Sequence, residues 1–285
     1  MKLALTGASG FIGSHVLREL SRREGLEIVT AGRNAPAPVS SPAQALAGVR
    51  HVVLDIARPE ADVFAALGHP DLLIHLAWSG LPNYSAPRHV DKHLFEQIAF
   101  LDGLVRAGLP SLLCAGTCLE YGLRNGELTE DLEADPQTPY ALAKDTLRRQ
   151  LGFLRRELGF GLTWARLFYS HGDGQAPTSL YAQLERAHRE GARSFQMSHG
   201  EQLRDYLPVA EVARLLVDLA LRAPDAGVVN VCSGRPIAVR SLVEQWIAEQ
   251  GWRIELERGV MPVPDYEPLA FWGSNRRLRT LLEAR

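Results

Sequence analysis

Cysteine is the first scarcity. The chain has three, Cys114, Cys118 and Cys232, among 285 residues. So sparse and odd a set excludes a disulfide framework and fits a reducing cytoplasm. No Cys/His spacing resembles a zinc site, so no metal is expected. Charge of one sign is also missing: 31 Lys and Arg stand against 33 Asp and Glu, a formal net charge of −2. That leaves no electrostatic footprint for nucleic acid or for an anionic membrane. No apolar run approaches the ~20 residues that cross a bilayer. The first residues read as a strand, without the basic and then apolar pattern of a secretory leader. Internal repeats and low-complexity tracts are absent. What remains is a globular composition, 46% hydrophobic and 22% charged, on a chain long enough to bury a large core.

Strand-like and helix-like segments alternate. Strands are expected at residues 3–6, 27–31, 49–54, 71–76, 111–115 and 161–168. Helices are expected near 11–23, 60–67, 88–107 and 140–158. The fourth strand is nearly all apolar, as a strand buried on both faces requires. Leu94, Ile98, Leu101 and Val105 recur at helical spacing in the long third helix. This βαβ rhythm predicts an α/β fold of Rossmann type, a doubly wound parallel sheet with a smaller C-terminal α/β lobe for the substrate. Residues 1–168 and about 203–232 are assigned to the dinucleotide-binding domain, and about 169–202 and 233–285 to the lobe. After residue 168 the pattern predicts helices at 180–189 and 241–250, strands at 194–197 and 228–232, and a strand-to-helix unit over 205–222. Pro36, Pro38 and Pro42 read as a surface loop.

The most informative segment is Thr6-Gly7-Ala8-Ser9-Gly10-Phe11-Ile12-Gly13, directly after the apolar Leu3-Ala4-Leu5. Gly7 suits backbone angles closed to other residues. Gly10 keeps the backbone open to a ligand, and Gly13 lets the new helix approach the strand. The helix N-terminus offers N–H groups and a positive dipole end, which suits a pyrophosphate. A second signal is Tyr140-Ala141-Leu142-Ala143-Lys144. Residues four apart share a helix face, so phenol and ammonium lie side by side. A phenol titrates near ~10, and a neighbouring cation favours its ionised form. Thr117 closes the fifth strand, where its hydroxyl can reach a substrate oxygen.

Taken together, residues 6–13, Thr117 four before Tyr121-Gly122, Tyr140 with Lys144, and Arg204-Asp205-Tyr206-Leu207-Pro208-Val209 resemble the extended short-chain dehydrogenase/reductases. These are the nucleotide-sugar epimerases, dehydratases and 4-ketoreductases. The resemblance implies that Tyr140 donates and accepts the proton, Lys144 holds the nicotinamide ribose, and Thr117 orients the reacting oxygen. It further implies cofactor contacts from Gly7, Ser9, Gly10, Phe11, Ile12, Gly13, Asp55, Ile56, Leu76 and Ala77. Arg204 matches an arginine on the sugar nucleotide's diphosphate, a role that suits a guanidinium. Asn83, Tyr84, Tyr169, Gln175 and Ser179 are further candidates for substrate contact. Tyr266, Glu267, Pro268, Phe271 and Trp272 are candidates for the base pocket. Relatives of this kind often dimerise through helices corresponding to 88–107 and 140–158, so a homodimer is expected.

The second strand ends Thr30-Ala31-Gly32-Arg33-Asn34, with no carboxylate for a ribose 2′-hydroxyl. Arg33 suits a 2′-phosphate, which favours NADP(H) over NAD(H). Dehydratases of this kind carry an Asp-Glu pair after the hydroxyl residue for elimination of water. Here those positions are Cys118 and Leu119. Leu119 and Gly174 also stand where the fucose-synthase branch has its Cys and His, which argues against a 3,5-epimerase. The expected reaction is therefore reduction of the C4 keto group of a nucleotide-linked 4-keto-6-deoxyhexose. The alternative is a nucleotide-sugar 4-epimerase with tightly held NAD.

Overall fold

The structure, a computed structural model, describes residues 1–34, 48–59, 62–262 and 268–283. The expected loop at Pro36, Pro38 and Pro42, and the candidates Tyr266 and Glu267, lie outside the described residues. Strand β1 (Lys2–Thr6) leads into helix α1 (Phe11–Leu20), then β2 (Glu27–Gly32), β3 (Val49–Val53), a short α2 (Val63–Ala66) and β4 (Leu72–His75). Helix α3 (Leu94–Arg106), β5 (Ser111–Thr117), β6 (Gly126–Leu128), α4 (Pro139–Leu158) and β7 (Gly161–Leu167) follow. Next come β8 (Tyr169–His171), α5 (Leu180–Arg189), β9 (Ser194–Met197), β10 (Leu203–Arg204), β11 (Tyr206–Pro208) and α6 (Val209–Arg222). The chain continues through β12 (Gly227–Val231), β13 (Ile237–Ala238), α7 (Val239–Gln250), β14 (Glu255–Arg258), β15 (Phe271–Gly273) and α8 (Arg276–Glu283).

Seven strands form one parallel sheet in the order β12-β7-β5-β4-β1-β2-β3. The order reverses between β1 and β4, and a crevice opens beyond the carboxyl ends of strands at such a point. Thr6 and His75 are register partners at that edge. The sheet is covered on both faces. Leu3, Leu5 and Ile74 pack with Val16 and Leu20 of α1 and Leu216 of α6. Ala4, Val29 and Leu73 pack on the other side with Leu101 of α3 and Leu147 of α4. Alternate residues of one strand thus serve opposite layers, which is why β4 shows no polar alternation. Leu184, Phe195, Met197, Val243 and Trp246 make a separate apolar cluster from α5, β9 and α7.

Local sequence sets the elements that position the site. Thr138 caps α4, accepting from the Ala141 N–H at 3.2 Å, with Pro139 in the first turn. Gly159 ends the helix in the left-handed conformation at φ 77°. Tyr140 is thereby fixed in the first turn of α4. The segment expected as one helix over 88–107 differs: a π-helical stretch, His89–His93, precedes α3. Its wider turn shifts the residue register ahead of the regular helix. The sequence pattern also missed α8 and the strands β6, β8, β10, β13, β14 and β15. Strands of two to four residues are too short to show a period. Among the described residues no helix is long and apolar enough to cross a membrane.

The tightest packing lies at the turn after β1. A Cβ on Gly13 would sit 1.9 Å from the Gly7 carbonyl oxygen. Gly13→Ala is expected to cost about 3 kcal/mol, since the clash is with backbone that cannot swing away. Urea denaturation followed by circular dichroism reads this, and an unchanged midpoint contradicts the packing.

Candidate active site

The crevice at the sheet reversal is a cleft of about 230 Å³. Gly7, Ser9 and Gly10 line it from the turn after β1, Arg33 from the end of β2, Asp55 and Ile56 after β3, and Leu76 and Ala77 after β4. The structure thus brings together eight of the expected cofactor residues from four separate strand ends. Phe11, Ile12 and Gly13 form the first turn of α1 beside them. Gly7 stands at φ +79°, and a Cβ there would meet the Ala77 nitrogen at 2.8 Å. Gly10 begins α1 with no side-chain cap, and its would-be Cβ meets the Gly7 carbonyl oxygen at 3.3 Å. A glycine turn pressed on neighbouring backbone, with an uncapped helix start facing a cleft, fits a dinucleotide pyrophosphate.

A hydrogen-bond chain that the sequence pattern did not reveal runs from β1 through β4 to Gln97 of α3, which lines the cleft. The Thr6 hydroxyl lies 2.8 Å from His75 Nδ1, and His75 Nε2 lies 2.6 Å from Gln97 Oε1. The amide oxygen of Gln97 only accepts, so Nε2 carries the proton and Nδ1 accepts from Thr6. Gln97 in turn donates to the Ala77 carbonyl at 3.1 Å. Burial, with the Lys144 charge adding to it, pulls His75 down to about 3. The ring therefore stays neutral across the physiological range.

Tyr140 and Lys144 stand beside the carboxyl end of β5. Lys144 Nζ donates to the Ala115 carbonyl at 2.8 Å and lies 4.1 Å from the centre of the Trp78 ring. It lies 5.9 Å from the centre of the Tyr140 ring. Tyr140 packs on Trp78, Tyr84 and His89, with ring centres 5.8, 5.4 and 5.4 Å away. Both groups are buried. Burial pushes the Tyr140 phenol well above its ordinary value, and Tyr84 and Glu120 add to the shift. Burial lowers Lys144. In the protein alone, desolvation therefore outweighs the expected pull of Lys144 on the phenol. Burial thus favours the protonated phenol in the protein alone.

Thr117 ends β5 two residues beyond Ala115. Its hydroxyl accepts from the Leu119 N–H at 3.3 Å, and its own N–H donates to Glu120 at 2.9 Å. Trp78 was not singled out from the sequence, although its ring covers the Lys144 ammonium. The Trp78 indole donates to His89 Nδ1 at 3.1 Å, and His89 Nε2 donates to the Asn83 carbonyl at 2.7 Å.

The expected substrate residues fall into two groups. Tyr84 reaches Tyr140, and its carbonyl accepts the Tyr140 N–H at 3.1 Å, while Asn83 is exposed in the same loop. The other group gathers farther along the chain. Tyr169 stacks on Tyr206 at 5.1 Å and lies 5.9 Å from Phe271. The buried Arg204 guanidinium stands 4.8 Å from the Phe271 ring and donates to the carbonyls of Leu203 and Leu269. Gln175 donates to the Ser170 carbonyl at 2.9 Å, and Ser179 caps α5 through the Ala182 N–H.

A doubly wound sheet, a glycine turn at its reversal and a Tyr/Lys helix face beside a strand-end hydroxyl define an extended short-chain dehydrogenase/reductase. Residues 3–232 match the profile of the NAD dependent epimerase/dehydratase family. The chain belongs to that family, and it is an oxidoreductase of the CH–OH/C=O type. It is 28% identical over 276 residues, 96% of this chain and 100% of the relative, to a dTDP-6-deoxy-L-talose 4-dehydrogenase (NAD(+)) from Aggregatibacter actinomycetemcomitans. It is 27% identical to a GDP-6-deoxy-D-mannose reductase from Pseudomonas aeruginosa, over 85% of this chain and 78% of that one. The solved structure of MoeE5 in complex with UDP-glucuronic acid and NAD superimposes with a TM-score of 0.81 at 26% identity, covering 99% of this chain and 93% of that one.

His75 supplies a pH test. Its folded value of about 3 lies below the ordinary 6.5. Below 6.5 the unfolded ring takes up a proton that the folded ring refuses, so stability falls as pH drops from 6.5 towards 3. Between pH 7 and pH 5 this residue is expected to remove about 2 kcal/mol. His75→Gln should flatten the pH dependence of the urea midpoint by that amount, and an unaltered slope contradicts the burial.

Proposed function

We propose that the protein reduces the C4 keto group of a nucleotide-linked 4-keto-6-deoxyhexose, with NADPH as the preferred reductant and NADH as the secondary one. The observation that carries this reading is the buried Tyr140 phenol on α4, one helical turn from Lys144, whose ammonium is tethered to β5 two residues before Thr117. A net reductase needs a proton donor there, and a phenol can supply one. The positions that carry an Asp-Glu pair in dehydratases are Cys118 and Leu119, so the two carboxylates of that elimination chemistry are missing there. Two relatives point the same way: one is named as a 4-dehydrogenase of a 6-deoxy nucleotide sugar, the other as a reductase of one. A dehydrogenase and a ketoreductase catalyse one equilibrium from opposite sides.

The residues present fit a nicotinamide dinucleotide. The turn Gly7, Ser9, Gly10 with the start of α1 would hold its pyrophosphate, Asp55 and Ile56 its adenine, Leu76 and Ala77 its middle, and Lys144 its nicotinamide ribose. When bound, the cofactor supplies the hydride. Tyr140 gives its proton to the oxygen that becomes an alkoxide. Thr117 hydrogen-bonds that oxygen as its charge develops, where such contacts act most strongly. Lys144 keeps a positive charge beside the site while its ammonium is tethered to β5. Arg204, over the Phe271 ring near Tyr169, suits the substrate's diphosphate, and Tyr84 beside Tyr140 suits its sugar.

Arg33 favours a 2′-phosphate, and β2 ends without a carboxylate. The name of one relative, the dTDP-6-deoxy-L-talose 4-dehydrogenase (NAD(+)), favours the other cofactor. A competing reading is a 4-epimerase, which keeps NAD bound and shows no net NADPH oxidation. The exposed Phe95 and Phe153 and half-exposed Leu142 lie on α3 and α4, which pack on each other. These apolar side chains support a homodimer through those helices. Three free, buried cysteines suit a reducing cytoplasm.

The test is a panel of 4-keto-6-deoxy nucleotide sugars with NADPH or NADH, read by absorbance. Tyr140→Phe is expected to lower kcat about a thousandfold while NADPH still binds. Near-normal turnover overturns the assignment. Arg33→Ala is expected to raise the NADPH Kd about tenfold and leave the NADH Kd unchanged, the loss of one charge-assisted contact. Equal effects on the two cofactors would remove the case for NADPH.

A further inference from the structure

Behind Thr117 lies a buried charge pair that the reaction as described does not use. Glu120 is fully buried and Arg166 nearly so, and Arg166 Nε lies 2.7 Å from Glu120 Oε2. The Trp164 indole donates to the same carboxylate at 3.0 Å. The Thr117 N–H donates to Glu120 Oε1 at 2.9 Å, and the Thr117 hydroxyl accepts from the turn that Glu120 closes. The strand leaves room for nothing else: a Cβ on Gly116 would stand 2.6 Å from Glu120 Oε1. The Arg166 guanidinium also covers the Tyr121 ring, 4.3 Å away. Burying two ions is expensive, and apolar residues of the same volume often do as well for stability. A pair kept at that cost, one hydrogen bond from a catalytic hydroxyl residue, calls for a role beyond packing.

We propose that Glu120, paired with Arg166, is a positioning residue for the catalytic groups: it fixes the strand end that carries Thr117 and sets the electrostatic surroundings of Tyr140. The inference rests on Tyr140 being the proton donor, as argued above. The titratable groups facing Tyr140 are Tyr84 from the loop after β4, His89 from the π-helical stretch, Cys114 from β5, Cys118 and Glu120 from the turn after β5, and Lys144 from α4 itself. Among them Glu120 brings a carboxylate, paired with Arg166, and Lys144 an ammonium, tethered to Ala115. Removing the anion leaves Lys144, and behind it an unpaired Arg166, to favour the phenolate.

Two variants separate the two effects. Glu120→Asp keeps the charge beside Arg166 and withdraws the carboxylate from the Thr117 N–H. Its kcat for carbonyl reduction should fall at least about tenfold, with the KM for cofactor and the pH profile unmoved. Glu120→Gln keeps the shape and removes the charge. A proton donor fails above its own titration point, so kcat falls on the basic side. That basic limb should move about one pH unit lower in Glu120→Gln. A folded Glu120→Asp with wild-type kcat overturns the proposal, as does a Glu120→Gln whose basic limb stays in place. If Glu120→Gln does not fold, Glu120→Asp decides alone. If the wild type turns over no sugar of the panel, the functional reading falls separately. The charge effect is then read in the cofactor-bound protein, by phenolate absorbance of wild type and Glu120→Gln, each minus its Tyr140→Phe counterpart. A lower titration point in Glu120→Gln supports the proposal, and an equal one overturns it.

Discussion

A lysine ammonium resting on the Ala115 carbonyl, 2.8 Å away, ties the site together. It joins α4, which carries the phenol, to β5, which carries the hydroxyl. The Trp78 ring closes over the same ammonium from the segment after β4. Three elements far apart in the chain thus meet at one charge. The contact is strong because the surroundings are dry, and the same dryness favours the protonated phenol. Lysine here is a structural pin first. Its electrostatic pull on Tyr140 is outweighed by burial in the protein alone.

The layers around this pin follow from the sheet. Because β1 to β5 and β7 are parallel and covered on both faces, their carboxyl ends form one rim. The glycine turn, Arg33, Asp55 and Leu76 line the cleft on one side of that rim. The β5 end, α4 and the 79–84 loop, with Tyr140 and Lys144, form the other side. Neutral hydrogen-bonded histidines, His75 and His89, brace the two sides without adding charge. At the end of β5 the charged groups are Lys144 on α4 and the buried Glu120–Arg166 pair.

Much of this was legible in the chain because it is local. The glycine turn is written in eight consecutive residues, and Tyr140 and Lys144 are one helical turn apart. The apolar run of β4 announced a strand with two covered faces. What escaped detection depends on partners that only the strand order brings together. Glu120 and Arg166 are forty-six positions apart, and each alone looks like a solvated charge. His75 and Gln97 are twenty-two apart on a strand and a helix. Trp78 reads as an ordinary aromatic until α4 sets Lys144 beneath it. The π-helical stretch before α3 left no trace in the apolar spacing, because it displaces the register by a fraction of a turn. The lobe's small strands and α8 were missed because short elements carry too few residues to show a pattern.

The most direct test of the account follows the hydrogen itself. The protein is supplied with NADPH deuterated at the transferable position and a 4-keto-6-deoxyhexose nucleotide, and the product is read by NMR. The account predicts deuterium on C4 of a 6-deoxyhexose, with one NADPH consumed for each product formed. A rearranged sugar without deuterium, formed with no net NADPH oxidation, would contradict it.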